Sequence, residues 1–326
     1  MWPLESQAHP LWLALYLLTL AIHVVLISYV AAGSAYALVQ AIRKTDDPIA
    51  ARVRDLLPFM LGLGITAGVA PLLFLQLLYQ RRFYTANLIM GPRWGAVVPA
   101  LVVGFYALYA AKATEVLRMR RLALAVGTLC FGFVAWSWTE IHLLMQTDSV
   151  WTQMYAAGER VFADAGVVVR LALWFGAMAS AFAAVASWWA SSDERRRLAV
   201  IGLGGRAFSV AAACALKAQG AAVAQTAHGW LYILAAALVV EAVGWAWQFR
   251  TGEERARTLV TGAGTAALLA GVVVREAPRL LLLEPPRPAA AEASGTWVFV
   301  AMVLVGVALI AWIVRTVRNA APDPSH

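Results

Sequence analysis

Three histidines stand inside long apolar runs of the chain: His23, His142 and His228. An imidazole is costly to place in hydrocarbon, and it is the usual axial ligand of haem iron held between membrane helices. The three are therefore read as metal and cofactor ligands, with b-type haem as the cofactor. Arg170 and Arg275 lie near the ends of two other runs. Their planar guanidinium forks suit a haem propionate or a quinone oxygen. His142 and His228 also fit the acid/base pair of a quinol site. The competing reading of each histidine is one interhelical hydrogen bond given and one received, as in any membrane bundle.

These residues need elements that can hold them in a bilayer. The chain has 326 residues, 62% hydrophobic and 13% charged, with a mean hydropathy of +0.71. Soluble domains are roughly 45–50% apolar and 25% charged, so this composition requires a membrane. Continuous runs of about 20 residues without alternation indicate helices rather than a barrel. Nine spans follow, at about 11–40, 56–79, 94–111, 122–145, 165–190, 198–218, 224–247, 258–281 and 297–314. The expected fold is all-α, a polytopic helical bundle read as a single transmembrane domain over 1–326. Four of its helices fall in 1–147 and five in 148–326. Pro58, Pro71 and Pro99 do not veto their spans, because neighbouring helices can satisfy the freed backbone.

Basic residues gather in the loops after odd-numbered spans: Arg43, Lys44, Arg52 and Arg54, then Lys112 to Arg121, Arg195 to Arg197, Arg250 to Arg257, and Arg315 with Arg318. The positive-inside rule then puts the N-terminus outside and the C-terminus in the cytoplasm. Trp188, Trp189, Trp245 and Trp247 fall at the inner interface, and Trp94 and Trp297 at the outer one. Residues 1–10 carry no Lys or Arg, unlike the basic region of a cleaved leader, so the first run is expected to remain as a helix. The outer loop 148–164 has Trp151, Tyr155 and Phe162 at near-helical spacing and is expected to hold a short interfacial helix. The Pro- and Ala-rich stretch 284–295 is expected to be a flexible loop. The expected location is the bacterial cytoplasmic (inner) membrane, with the lipid bilayer as a partner. A net charge of +8 does not indicate nucleic acid here, since the arginines lie in short loops between apolar runs. Cys130 and Cys214 belong to no CxxC or CxxCH, so they read as packing residues and no c-type haem is attached.

Depth can be read at about 1.5 Å per residue. His142 and His228 fall at similar heights near the outer face, while His23 lies deeper. Arg206 and Glu241 match in depth and are expected to form a buried ion pair, with a proton relay as the alternative. Glu140 matches Arg170 near the outer face. The run Arg275-Glu276-Ala277-Pro278-Arg279 either anchors the interface or offers a propionate or quinone site. Lys217 reads as a snorkelling end residue. Gly202-Leu203-Gly204-Gly205 opens a membrane helix rather than following a strand, so it is no nucleotide loop. Gly262 and Gly264 read as close-packing positions.

The first 145 or so residues resemble subunit I of the cytochrome bd quinol oxidases. The likeness rests on Ala14-Leu15-Tyr16 followed by His23, on Gly64-Ile65-Thr66-Ala67-Gly68-Val69-Ala70, and on the aromatic polar stretch Tyr79 to Tyr84. A looser match lies around Gly176-Ala177-Met178. The resemblance implies nine spans, an external N-terminus and a haem ligand at His23. The family's third helix carries glutamates and its fifth a ligating histidine; the corresponding spans here have neither. The resemblance therefore does not extend to oxygen reduction.

The resulting expectation is an inner-membrane electron-transfer subunit that binds b haem. It would link the quinone pool to a periplasmic cytochrome or other redox subunit. Two alternatives stand beside it: a cofactor-free subunit that anchors or assembles a larger complex, and a small-solute transporter. Few buried charges and no inverted repeat count against transport.

Overall fold

The computed structural model describes residues 10–219, 227–283 and 294–320, and among these it holds helices and no strand. The helices are α1 (Pro10–Arg43), α2 (Pro48–Leu78), α3 (Gln80–Met90), α4 (Pro92–Gly95), α5 (Val97–Ala113), α6 (Leu117–Leu144), α7 (Trp151–Ala157), α8 (Ala165–Ala186), α9 (Ser192–Ala218), α10 (His228–Thr251), α11 (Glu254–Leu280) and α12 (Ser294–Ala320). Eight membrane-length apolar helices result, with α4 and α5 together making the third. The expected ninth span falls in α12, a helix of 27 residues that contains the described apolar stretch Val300–Leu309. Residues 1–9 and most of the expected loop at 284–295, namely 284–293, lie outside the described residues, as does the side chain of Trp297. The chain divides into two units, Met1–Leu283 and Glu284–His326. The first is described below; the second holds α12.

Neighbours in sequence pack as antiparallel pairs: α1 with α2, α5 with α6, α8 with α9, and α10 with α11. The first helix is the shared wall, touching α2, α6, α8 and α11. Its buried positions, Leu13, Tyr16, Tyr29, Val30 and Ala37, are spaced to face several helices at once. Ser28 and Ser34 are buried on it too, and each turns its hydroxyl back to a carbonyl of its own helix, Val24 and Val30. A polar side chain thus enters the core without an unsatisfied donor. As expected, Pro58 and Pro71 sit inside α2 without ending it.

The tightest contact is α8 on α9. A Cβ added at Gly176 would lie 2.6 Å from the Gly205 carbonyl oxygen, and one at Gly205 would lie 2.7 Å from that of Gly176. Only two glycines allow backbones to approach this closely. Gly202 plays a related part by making room for the fully buried Trp245 ring.

At one end of the bundle, here the Arg43 end, arginines from the first turns of α2, α6 and α9 close the helix termini. Arg121 donates to Ala41 O of α1, and Arg52 to Trp189 O. Arg195 donates to Ala190 O and to Gly252 O past the end of α10. Cations at C-terminal carbonyls satisfy orphan acceptors and complement the helix dipole. Asp47 ties three helices: it caps α2 through Ile49 N, accepts from Tyr36 of α1, and pairs with Arg197 of α9 at 3.6 Å.

Mid-bundle, the expected pair is present. Arg206 of α9 meets Glu241 of α10 with Nε–Oε2 at 2.9 Å and Nη2 donating to Oε1 at 3.1 Å. Ser180 donates to the same carboxylate at 2.8 Å, and Trp245 Nε1 at 3.2 Å. With that many donors on a carboxylate that is 1% exposed, removing one charge should cost more than removing both. Arg206→Met is expected to destabilise the fold by about 3–5 kcal/mol, and adding Glu241→Leu should recover most of the loss. Thermal unfolding in detergent reads both; an unshifted midpoint for the single variant would falsify the role given to this pair.

Candidate functional site

A second polar cluster lies at the opposite end, where α1 begins and α6 and α11 finish. It takes side chains from five places in the chain. Tyr16 comes from α1, Tyr79 from the junction of α2 and α3, His142 from the last turn of α6, Arg170 from α8, and Arg275, Glu276 and Arg279 from the last turns of α11.

Glu276 is its centre and is wholly buried. Arg279 Nη1 donates to both of its oxygens, at 2.9 and 3.0 Å, and Arg275 Nη1 donates to Oε1 at 2.8 Å. The Tyr16 hydroxyl is turned to the same carboxylate. Arg279 is itself only 4% exposed, and the Arg275 guanidinium lies 5.1 Å from the centre of the Trp174 ring. One carboxylate therefore serves two arginines, and the cluster carries a surplus positive charge. The run Arg275 to Arg279 is no interfacial anchor: its acid and its second arginine point into the bundle.

Tyr79 adds an unused donor. Its side chain is 4% exposed and its hydroxyl, buried beside Glu276, Tyr16 and both arginines, has no hydrogen-bond partner among the described residues. A neutral phenol hydroxyl is a donor, so Tyr79 has a hydrogen to give.

His142 is partly buried within electrostatic reach of Arg279, Arg275 and Arg170. Its Nδ1 lies 2.6 Å from Trp138 O. A carbonyl only accepts, so Nδ1 carries the proton, and in the neutral ring Nε2 is the basic nitrogen. His23 repeats the arrangement, with Nδ1 2.9 Å from Gly64 O. Its ring lies against Gly68, where an added Cβ would come within 2.8 Å of Cε1. A backbone carbonyl on one ring nitrogen is how proteins fix a histidine that ligates through the other.

The structure thus brings together His142, Arg170 and Arg275 of the five residues singled out in the sequence. His23 sits apart, between α1 and α2. His228 is exposed at the start of α10 and makes no hydrogen bond or ion pair among the described residues. Arg170 does not pair with Glu140, as matched depth led one to expect. It donates to Gly166 O at 3.4 Å in its own helix, next to Asp164, while Glu140 is taken by Arg93 and by Trp136 Nε1 at 2.7 Å. Depth fixes a residue's height but not the side of the helix it faces. Tyr16, Tyr79, Glu276 and Arg279 are the members that residue spacing did not single out as ligands; the signal for the last two was the charged run itself.

A cap closes this end. The expected interfacial helix in 148–164 is α7, and α3 lies beside it with Phe83, Ile89 and Met90 buried. Arg82 bridges to Met145 O at 3.0 Å and to Asp148 at 3.1 Å, Trp151 Nε1 donates to Leu144 O, and Arg160 to Ile89 O. Below the cap a series of ring contacts leads inward, from Tyr84 through Phe83, Trp94 and Trp138 to His142, with centroids 4.8 to 6.2 Å apart. Packed rings and pinned loops thus adjoin the cluster on the His142 side. Among the described residues no group of three or more His, Cys, Asp or Glu side chains is arranged for a bare metal ion.

Because its hydroxyl has no partner, Tyr79→Phe should leave the thermal midpoint of the ligand-free protein unchanged or slightly raised. A loss above about 1 kcal/mol would show that the hydroxyl is already engaged. No protein-family model, curated protein or solved structure matches this chain.

Proposed function

We propose that the chain is an electron-transfer subunit of a bacterial inner membrane, holding b-type haem and exchanging electrons between the quinone pool and a redox partner on the His142 side. The observation that carries this reading is the capped cluster itself. It has a buried surplus cation, an unpartnered tyrosine hydroxyl, and a histidine whose Nδ1 is committed to a carbonyl. An anion with a metal centre attached would answer all three: a haem propionate for the arginines and Tyr79, and iron for Nε2 of His142. His23, with its own Nδ1 committed to Gly64, is the second ligand candidate, deeper in the bundle.

The haem, when bound, supplies one-electron exchange. The chain's own residues do the rest. Arg275 and Arg279 hold a carboxylate, and Glu276 fixes their forks so that the donors are oriented before anything arrives. The α3–α7 cap and the ring series keep the site dry, which strengthens each of those contacts. Arg170, beside Asp164 at the first turns of α8, is the cation left to meet a quinone oxygen. The exposed ring of Tyr84, at the head of the series that ends on His142, marks the face a soluble redox partner would meet. The basic residues gathered at the Arg43 end support a cytoplasmic position for that end, with the cap facing outward.

The test is a dithionite-reduced minus oxidised spectrum of the purified protein, expressed with ample haem. A b-type α band is expected, and its absence would sink the proposal. His142→Ala and His23→Ala should each remove part of the band. Arg279→Gln should shift the midpoint potential while leaving some band in place, because an arginine at a propionate tunes a haem without ligating it.

A further inference from the structure

Helices α6 and α8 both lean on α1, yet they touch each other much less than either touches α1. Between them lie two recesses of about 500 and 510 Å³. They share Thr128, Gly132 and Phe175, so they form one trough running along the bundle surface. Its floor is made of small residues, Gly132 with alanines of α1, and its walls include Phe131 and Phe182. A Cβ added at Gly132 would meet nothing within 4 Å, which marks the floor as open there.

The two ends of the trough differ. At one end Arg93 is committed to Glu140. At the other end stands Arg43, the last residue of α1, exposed and without a hydrogen bond or ion pair among the described residues. Two residues before it, Ala41 O receives Arg121 Nε, and the Arg121 Nη2 is buried without a partner. The free cationic end therefore asks for an anion, and the trough above it asks for a hydrocarbon chain. From Arg43 to Ala31, the deepest α1 residue of the lining, the helix rises about 18 Å. That is close to one leaflet of a bilayer whose core is about 30 Å thick.

We infer that the trough between α6 and α8 is a binding site for one anionic phospholipid, its acyl chain on Gly132 and the α1 alanines and its phosphate on Arg43. A guanidinium meets a phosphate through two parallel N–H donors, so Arg43 selects for charge and the trough selects for the chain. A quinone would not use this end, since its head is uncharged, and at the far end of the trough Arg93 and Trp136 are both already engaged by Glu140.

Native mass spectrometry of the full chain, stripped of lipid in mild detergent, tests this with phosphatidylglycerol and phosphatidylcholine of the same acyl chains. One phosphatidylglycerol should be retained per chain, with a preference of about fivefold, the worth of one arginine at an anionic surface. Arg43→Gln should abolish the preference while chain binding persists. Gly132→Leu fills open space and should keep the wild-type thermal midpoint while losing the retained lipid of either kind. Equal retention of the two lipids by the wild type overturns the proposal. So does retention unaffected by Gly132→Leu, or an isoprenoid quinone found in place of the phospholipid and displaced by that variant. If Gly132→Leu does not fold, the Arg43→Gln arm decides alone. None of these outcomes bears on haem, so failure here and failure of the redox reading remain separate.

Discussion

Hydrocarbon holds no water to solvate a charge, and that constraint places the ionisable side chains inside this bundle. Glu140, Glu241 and Glu276 lie within the spans, away from the first turns that hold Glu194 and Glu254, and each is at most 1% exposed. Each has an arginine from elsewhere in the fold or from its own helix, and the first two also accept a tryptophan N–H. These contacts do more than neutralise. Glu140 fastens α6 to the short α4, Glu241 fastens α10 to α9 and, through Ser180, to α8. In a medium where apolar packing alone does not drive helices together, such joints set which helix faces which.

The third glutamate breaks the pattern, and that is why its neighbourhood reads as a site. Glu140 and Glu241 each answer one arginine, and their clusters are closed. Glu276 answers two, while Tyr79 brings a hydroxyl that nothing accepts. The bundle balances its charges in two places and leaves them unbalanced in a third, and that imbalance is what supports the ligand site proposed above.

Much of the fold was legible because lipid imposes a simple length rule. The eight long helices follow directly from apolar runs, and Pro58 and Pro71 did not disturb the reading because α2 is buried against α1. Arg206 and Glu241 could be matched because they lie on consecutive helices at equal depth, where an antiparallel hairpin leaves few other partners. Glu140 and Arg170 misled for the opposite reason. Several helices pass at that height, and a one-dimensional pattern says nothing of which of them α6 faces. The break at Gly91, which turns α4 so that Arg93 reaches Glu140, depends on a backbone conformation with φ of 54° that spacing alone does not reveal. Tyr79 was hidden for a similar reason: as the residue between two helices it looked like the start of a polar loop, and only the cap folds it inward.

The order of the cluster's parts along the chain has a consequence for biogenesis. Tyr16 enters the membrane with the first helix, His142 with α6, and Glu276 only with α11. The cap, made from α3 and α7, is synthesised well before the α11 arginines. A chain that emerges and inserts from its N-terminus passes through a stage in which α1, α2 and α6 are assembled under the cap while the wall supplied by α11 is missing. The cluster is completed only when α11 packs against α1 and α8. Truncation before α11 would remove Arg275, Glu276 and Arg279 together, so the α10–α11 hairpin is the latch of the assembly and not merely its last strut.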